Sequence, residues 1–222
     1  MLDSIKLMKK DINIICKLEK SSFLVLLYSF SMSSFIFNNN NSLAFQMISF
    51  ATAYAVYGLV VSLVSNEEKK KTSLIFQSMP VRKRSTVIGK YLFSLVIIIF
   101  AACTSNILPL VKALMEKDIS YLYLSFLNSL IFCIFIFSIF FPLFYSLGYS
   151  KMQPISLIIF YGLIFVPILL NFLKASDVIR PFANFTLDII NIVNSNLIIS
   201  FTACILLYIL SMLLSIKIEN NL

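Results

Sequence analysis

Few residues in this chain could do covalent chemistry. Its 222 residues include no His. That removes His-based zinc sites, Ser-His-Asp and Cys-His nucleophiles, and imidazole proton relays. Four cysteines, Cys16, Cys103, Cys133 and Cys204, lie scattered without a C-x-x-C pair. They read as small apolar side chains and not as a disulfide framework. No G-x-x-x-x-G-K-[ST] and no G-x-S-x-G occurs, so a P-loop and a nucleophile elbow are both missing. The one adjacent carboxylate pair is Glu67-Glu68. Paired glutamates of an intramembrane protease would need a downstream Arg and histidines on other helices. Here Glu68 is followed by Lys69-Lys70-Lys71-Thr72.

What remains is charge and its placement. The segment Asn66–Tyr91, NEEKKKTSLIFQSMPVRKRSTVIGKY, holds seven of the eighteen Lys and Arg residues. Two basic clusters, Lys69-Lys70-Lys71 and Arg82-Lys83-Arg84, flank an apolar patch, Leu74-Ile75-Phe76, closed by Met79-Pro80. The pattern predicts a short amphipathic helix. Ser65 and Glu68 fit a capping box, and Glu67 and Glu68 suit the positive end of a helix dipole in its first turn. Pro80 ends that helix, and Ser85 can cap the next.

The elements that position this segment are set by hydropathy. The chain is 59% hydrophobic and 13% charged, about half the charge of an ordinary soluble domain. No Asp, Glu, Lys or Arg occurs in 21–66, 91–111, 119–150, 152–172 or 189–216. A helix crosses the hydrocarbon core with about 20 apolar residues. Six spans are predicted, at 21–37, 43–65, 91–111, 122–148, 154–173 and 196–216. Backbone groups in lipid must pair internally, so the spans are expected to be helices. The fold class is all-α: one polytopic membrane domain over residues 1–222.

Basic residues set the orientation. Residues 1–20 carry five, 66–90 seven, 149–153 one and the C-terminal tail one. The alternate connections at 38–42, 112–121 and 174–195 carry none, two and two. Fourteen against four places both termini in the cytoplasm. The net charge of +8 follows from topology and anionic lipid, with no nucleic acid expected.

Residues 1–20 repeat apolar positions (Ile5, Met8, Ile12, Ile15, Leu18) at helical spacing opposite Lys6, Lys10, Asn13, Lys17 and Lys20. This predicts an interfacial helix leading into the first span. Residues 174–196 interleave Phe182, Phe185, Ile189 and Ile192 with Asn184, Asp188 and Asn191. They predict short semi-buried helices in the outer leaflet. Pro109, Pro142 and Pro167 inside spans predict kinks. Intramembrane carboxylates, the usual mark of an ion-coupled transporter, are missing from the predicted spans. Asn106 and Asn128 are the polar side chains that could stand in for them.

The order E-x-K-K-x-S-L-I-F-x-S-M-P-V-x-R-x-x-V-x-G-K-Y resembles the cytoplasmic loop of ABC-2 type transporter permeases of the small bacterial six-span kind. The matching positions are Ser78, Met79, Pro80, Val81, Arg82 or Arg84, Val87, Lys90 and Tyr91. Met79 stands where Leu is commoner. The resemblance implies a type V exporter-like permease in the bacterial cytoplasmic membrane. It implies a coupling helix in which Leu74, Ile75, Phe76 and Met79 dock on an ATPase, with Pro80 closing it. Glu67, Glu68, Arg82 and Arg84 would set its register. The implied partners are two ABC ATPase subunits, a second identical or related permease, membrane lipid and an amphipathic peptide cargo. The chain would carry no cofactor, because ATP would bind the partner, and it would not itself be an enzyme. It is similar in kind to the permeases of peptide exporters such as those of the phenol-soluble modulins. The alternatives are a stand-alone immunity or scaffold membrane protein and a secondary transporter.

Overall fold

The computed structural model describes residues 2–17, 42–69, 83–116, 120–148, 151–155, 157–158 and 196–221. Every described element is helical. The helices are α1 (Leu2–Lys17), α2 (Ser42–Lys69), α3 (Lys83–Ser105), α4 (Ile107–Glu116), α5 (Ser120–Leu147) and α6 (Leu197–Asn221). Four of them, α2, α3, α5 and α6, are long and apolar enough to cross a membrane, and they cover the predicted spans two, three, four and six. The predicted spans at 21–37 and, but for its first residues, 154–173 lie outside the described residues, as does nearly all of the predicted outer segment 174–196.

Three pairs of facing residues fix how α2 lies on α5. Phe50 meets Phe132 edge to face at 4.6 Å, the Cys133 thiol donates to Thr52 Oγ1, and Tyr57 meets Phe140 at 5.9 Å. Both numbers of each pair rise together, so α2 and α5 run parallel. On α3 and α6 the pairs run the other way: Lys83 with Glu219, Tyr91 with Ser211 and Ser215, Ser94 with Tyr208. Helix α3 is therefore antiparallel to α6. Ser211 reaches Ser138, which seats α5 beside α6. The ends of α2, α5 and α6 and the start of α3 thus gather at one end of the bundle.

Helix α1 packs at that same end. A Cβ built on Gly89 would stand 3.2 Å from the Leu7 Cβ and 3.3 Å from the Ser4 carbonyl oxygen. A residue without a side chain lets α1 and α3 approach this closely with neither displaced. Ser4, Asp11 and Ile15 are buried on that side of α1, while Ile5, Lys6 and Lys9 are exposed. A helix covers residues 2–17 of the segment expected at 1–20, but Ile5, on the expected apolar face, is exposed, and Ser4 and Asp11 are buried instead.

The core is a ladder of aromatic rings on α5. Phe140 meets Phe137, Phe141 and Phe144, and Phe137 and Phe141 are fully buried. Hydroxyls inside the bundle mostly turn back on their own helix. Thr52 donates to Ile48 and Ser49, Ser65 to Ser62, Thr104 to Ala101 and Ser138 to Phe135. With no water at this depth, a carbonyl three or four residues back is the nearest acceptor.

Several boundaries differ from expectation. Ser65 does not cap a new helix: α2 runs on to Lys69, and the Ser65 hydroxyl is spent on the Ser62 carbonyl at 2.9 Å. Glu67 and Glu68 accordingly sit in the last turn of α2, not the first turn of a separate helix. Helix propagation adds one bond per residue, and a four-residue capping pattern inside a continuing helix does not overcome it. Nor is Ser85 a cap. Helix α3 starts at Lys83, eight residues before the predicted span, and Ser85 is buried in its first turn. The connection expected at 112–121 is helical as far as Glu116, and Lys112 on α4 is buried.

The break between α3 and α4 has a local cause. Pro109 lacks an N–H and its ring clashes with the carbonyl four residues back, Ser105. The helix parts there, at Asn106. Helix α5 ends at Gly148, whose φ of 75° is the left-handed turn that glycine adopts without strain.

Candidate coupling face

The segment singled out by sequence is described at its two edges. Residues 70–82 lie outside the described residues, and Leu74, Ile75, Phe76, Met79, Pro80 and Arg82 are among them. Glu67 and Glu68 lie on the backbone of the last turn of α2. Arg84 is exposed in the first turn of α3, beside Lys83. The Lys83 ammonium donates to the Glu219 carbonyl at 3.2 Å, tying the start of α3 to the end of α6. A cation suits that end of α6, where unpaired carbonyls carry the negative end of the helix dipole.

The second half of the signature, Val87 to Tyr91, is structural. Val87 is fully buried. Gly89 receives α1. The Lys90 ammonium lies 5.9 Å from the centre of the Phe144 ring, within cation–π range. Tyr91 enters the bundle with 1% of its surface exposed. These residues, which carry part of the family resemblance, are thus the ones that fasten α3 to α1, α5 and α6.

Behind Tyr91 lies a chain of hydroxyls. The Tyr91 hydroxyl is 2.7 Å from Ser211 Oγ and 2.8 Å from Ser215 Oγ. Ser211 donates to the Ser138 carbonyl at 2.6 Å. Each hydroxyl has one hydrogen, which orders the chain: Ser215 donates to Tyr91, Tyr91 to Ser211, and Ser211 to Ser138. The chain passes from α6 to α3, back to α6 and then to α5. One turn deeper, the Tyr208 hydroxyl reaches the Tyr91 carbonyl at 2.8 Å and Ser94 Oγ at 2.6 Å. The Tyr91 ring packs on Tyr208 at 5.0 Å and on Phe141 at 4.4 Å.

The end point of this chain is set by a proline. Pro142 lies inside α5. It has no N–H for the carbonyl four residues back, and that carbonyl belongs to Ser138. Ser211 supplies the missing donor. The carbonyl that the proline leaves free is therefore satisfied from a neighbouring helix, as a buried break in the hydrogen-bond ladder in lipid requires. At the other break, the Asn106 side-chain amide donates to the Ala102 carbonyl at 2.8 Å, and its Oδ1 accepts from Ser125 on α5. Asn106 thus ties the α3–α4 break to α5.

Sequence reading passed over this network, although a signal was present. Tyr208, Ser211 and Ser215 repeat at three and four residues on α6, and Tyr91 and Ser94 do so on α3. That spacing puts each set on one helix face. Nothing in the pattern paired the two faces.

The sequence pattern of one known family, described as ABC-2 family transporter protein, matches residues 6–220. No curated protein and no solved structure matches the chain.

Proposed function

The chain belongs to the ABC-2 family of transporter proteins, and on that premise we propose that it is the permease subunit of an ATP-binding-cassette exporter driven by a separate ATPase. Residues 66–90 are the coupling segment in this reading, with Leu74, Ile75, Phe76 and Met79 as its docking face. Glu67, Glu68, Arg82 and Arg84 orient it, and Pro80 ends it. The six-span count, the interfacial position of α1 and the cytoplasmic placement of both termini belong to the same proposal.

One observation carries it. The two ends that bracket the segment, the last turn of α2 and the first turn of α3, face the same end of the bundle, and α3 is fastened there to α1, α5 and α6 at once. A push on residues 70–82 is delivered to α3, and the Tyr91–Ser211–Ser138 chain passes it to α6 and to α5 beside Pro142. ATP binding then tilts two paired permeases about that end, and hydrolysis resets them. Two ATPases and a second permease, identical or related, complete the transporter. The aromatic and aliphatic interior favours amphipathic cargo, and small cytolytic or antimicrobial peptides are the class we assign. The membrane is the bacterial cytoplasmic membrane.

The test is recovery of this chain from its native membrane in mild detergent, with mass spectrometry of what stays bound. An ABC ATPase should co-purify. Phe76→Asp or Met79→Asp should abolish transport and ATPase retention while leaving the chain in the membrane. Normal transport by both variants would sink the coupling assignment.

A further inference from the structure

Lys6, Lys9, Lys10 and Asn13 line an open pocket of about 440 Å³ on α1, with Ile14 at its wall. The spacing of three, four and seven residues from Lys6 puts these side chains on one helix face. Lys6, Lys9 and Asn13 are exposed. Among the described residues its lining holds three ammonium groups and an amide and no carboxylate. Asp11, the nearest acid in sequence, is 3% exposed on the buried side and meets Lys10 at 3.4 Å. A concave, donor-rich surface of this kind recognises an anion with several acceptor oxygens.

Its height in the bundle says which anion. Helix α1 rests on Gly89. Because α3 and α6 are antiparallel, with Lys83 against Glu219 and Tyr91 against Ser211 and Ser215, Gly89 is level with the turn of α6 from Leu213 to Lys217. On that turn the exposed surface changes character. Leu213 and Leu214 are 55% and 56% exposed, and Lys217 and Asn220 follow. On α3 the exposed apolar surface resumes at Val96, about 10 Å along the axis from Gly89 at 1.5 Å per residue. The apolar belt of the bundle therefore ends where α1 lies. The headgroup layer outside the hydrocarbon is about 5–8 Å thick on each side, so the pocket faces it.

We infer that Lys6, Lys9, Lys10 and Asn13 form a site for the phosphate of an anionic phospholipid headgroup. The site rests on the membrane embedding of the bundle and not on the coupling reading, so either can fail alone. The lysines hold the phosphodiester and a second acidic or hydroxylated headgroup, Asn13 donates to a phosphate oxygen, and Ile5 and Ile14 meet the first acyl carbons.

The chain has no Trp, so Ile5→Trp supplies a single tryptophan, whose emission is excited apart from that of the ten tyrosines. Ile5 is 39% exposed and stands one turn from Lys9, where a larger ring does not disturb the core. The full chain carrying this change is reconstituted in vesicles containing phosphatidylglycerol or phosphatidylcholine, each brominated at shallow acyl carbons. Brominated phosphatidylglycerol should quench several-fold more than brominated phosphatidylcholine at equal mole fraction. Lys6→Gln with Lys9→Gln should reduce the preference, by about fivefold per lysine if each is worth what a basic residue near an anionic surface usually is. Lys151→Gln with Lys217→Gln, which removes two charges elsewhere on the chain, should leave it nearly intact. Equal loss in both double variants overturns the site in favour of diffuse attraction. Abolition of the preference by millimolar inorganic phosphate overturns it in favour of a free-anion site. A check without any variant is native mass spectrometry of the unmutated chain in equimolar mixed lipid, where phosphatidylglycerol adducts should predominate and equal adducts overturn the assignment.

Discussion

Replacing Ser211 with Ala tests whether a neighbouring helix satisfies the carbonyl that Pro142 leaves free in α5. The hydroxyl donates to the Ser138 carbonyl at 2.6 Å, and Pro142 has removed that carbonyl's own helical donor. The Tyr91 hydroxyl is not stranded by the change, because Ser215 Oγ at 2.8 Å can accept from it. The loss is therefore concentrated on one buried carbonyl. A buried acceptor left without a partner costs about 1–3 kcal/mol, and hydrogen bonds between membrane helices have averaged about 0.6 kcal/mol with a maximum of about 1.7. Ser211→Ala is expected to cost about 1.5 kcal/mol in the native background, near the top of the second range. In a Pro142→Ala background residue 142 regains its N–H, and Ser138 again has an intrahelical donor. There Ser211→Ala should cost only about 0.5 kcal/mol, a coupling of about 1 kcal/mol between positions 142 and 211. Equilibrium unfolding of the four proteins in mixed detergent and dodecyl sulfate micelles measures the cycle. The same loss in both backgrounds would show that Ser211 matters for some other reason and refute the account.

Three further outcomes are expected. Tyr91→Phe keeps the ring contacts with Phe141 and Tyr208 but breaks the hydroxyl chain, so it should cost about 1 kcal/mol, whereas Tyr91→Ala should cost about 3–5 kcal/mol by emptying a buried aromatic site; the same unfolding assay separates them. Gly89→Ala should change stability by less than about 1 kcal/mol, since the few tenths of an ångström that Leu7 and Ser4 must yield are offset by the better helix propensity of Ala. Gly89→Leu should instead force α1 off α3, read as faster proteolysis of residues 2–17 in membranes. A fluorescent-protein fusion at the C-terminus should fluoresce, and an alkaline phosphatase fused at residue 118 should be active, if both termini are cytoplasmic; the reverse pattern inverts the proposed orientation.

The elements were legible because their causes are local. A charge-free apolar run of bilayer length must be helical wherever it goes, and α2, α3, α5 and α6 fall where those runs are. Helix α1 was legible from the three- and four-residue repeat of Ile5, Met8, Ile12 and Ile15. The positions of Pro109 and Pro142 could also be read, although their consequence appears four residues upstream, at Ser105 and Ser138; Pro167 lies outside the described residues. Helix ends were read less well. Ser65, Glu67 and Glu68 satisfy a start signal, yet α2 continues through them. Capping competes with propagation by about 1 kcal/mol, too little to end a helix whose own ladder is unbroken.

What the sequence by itself determined is the class of the protein: a helical membrane chain, its basic residues gathered chiefly in residues 1–20 and 66–90, bearing the signature of a transport family. Only the tertiary structure decided what the signature residues do. Gly89 is an ordinary helix residue until α1 lies across it, and Tyr91 is one of ten tyrosines until Ser211 and Ser215, 120 and 124 residues away, come to its hydroxyl. Periodicity tells which face of a helix a residue occupies. It carries no information about which other helix will meet that face, because the pairing is chosen by the packing of the whole bundle, where each buried hydroxyl and each carbonyl freed by proline must find its partner in a medium that offers no water.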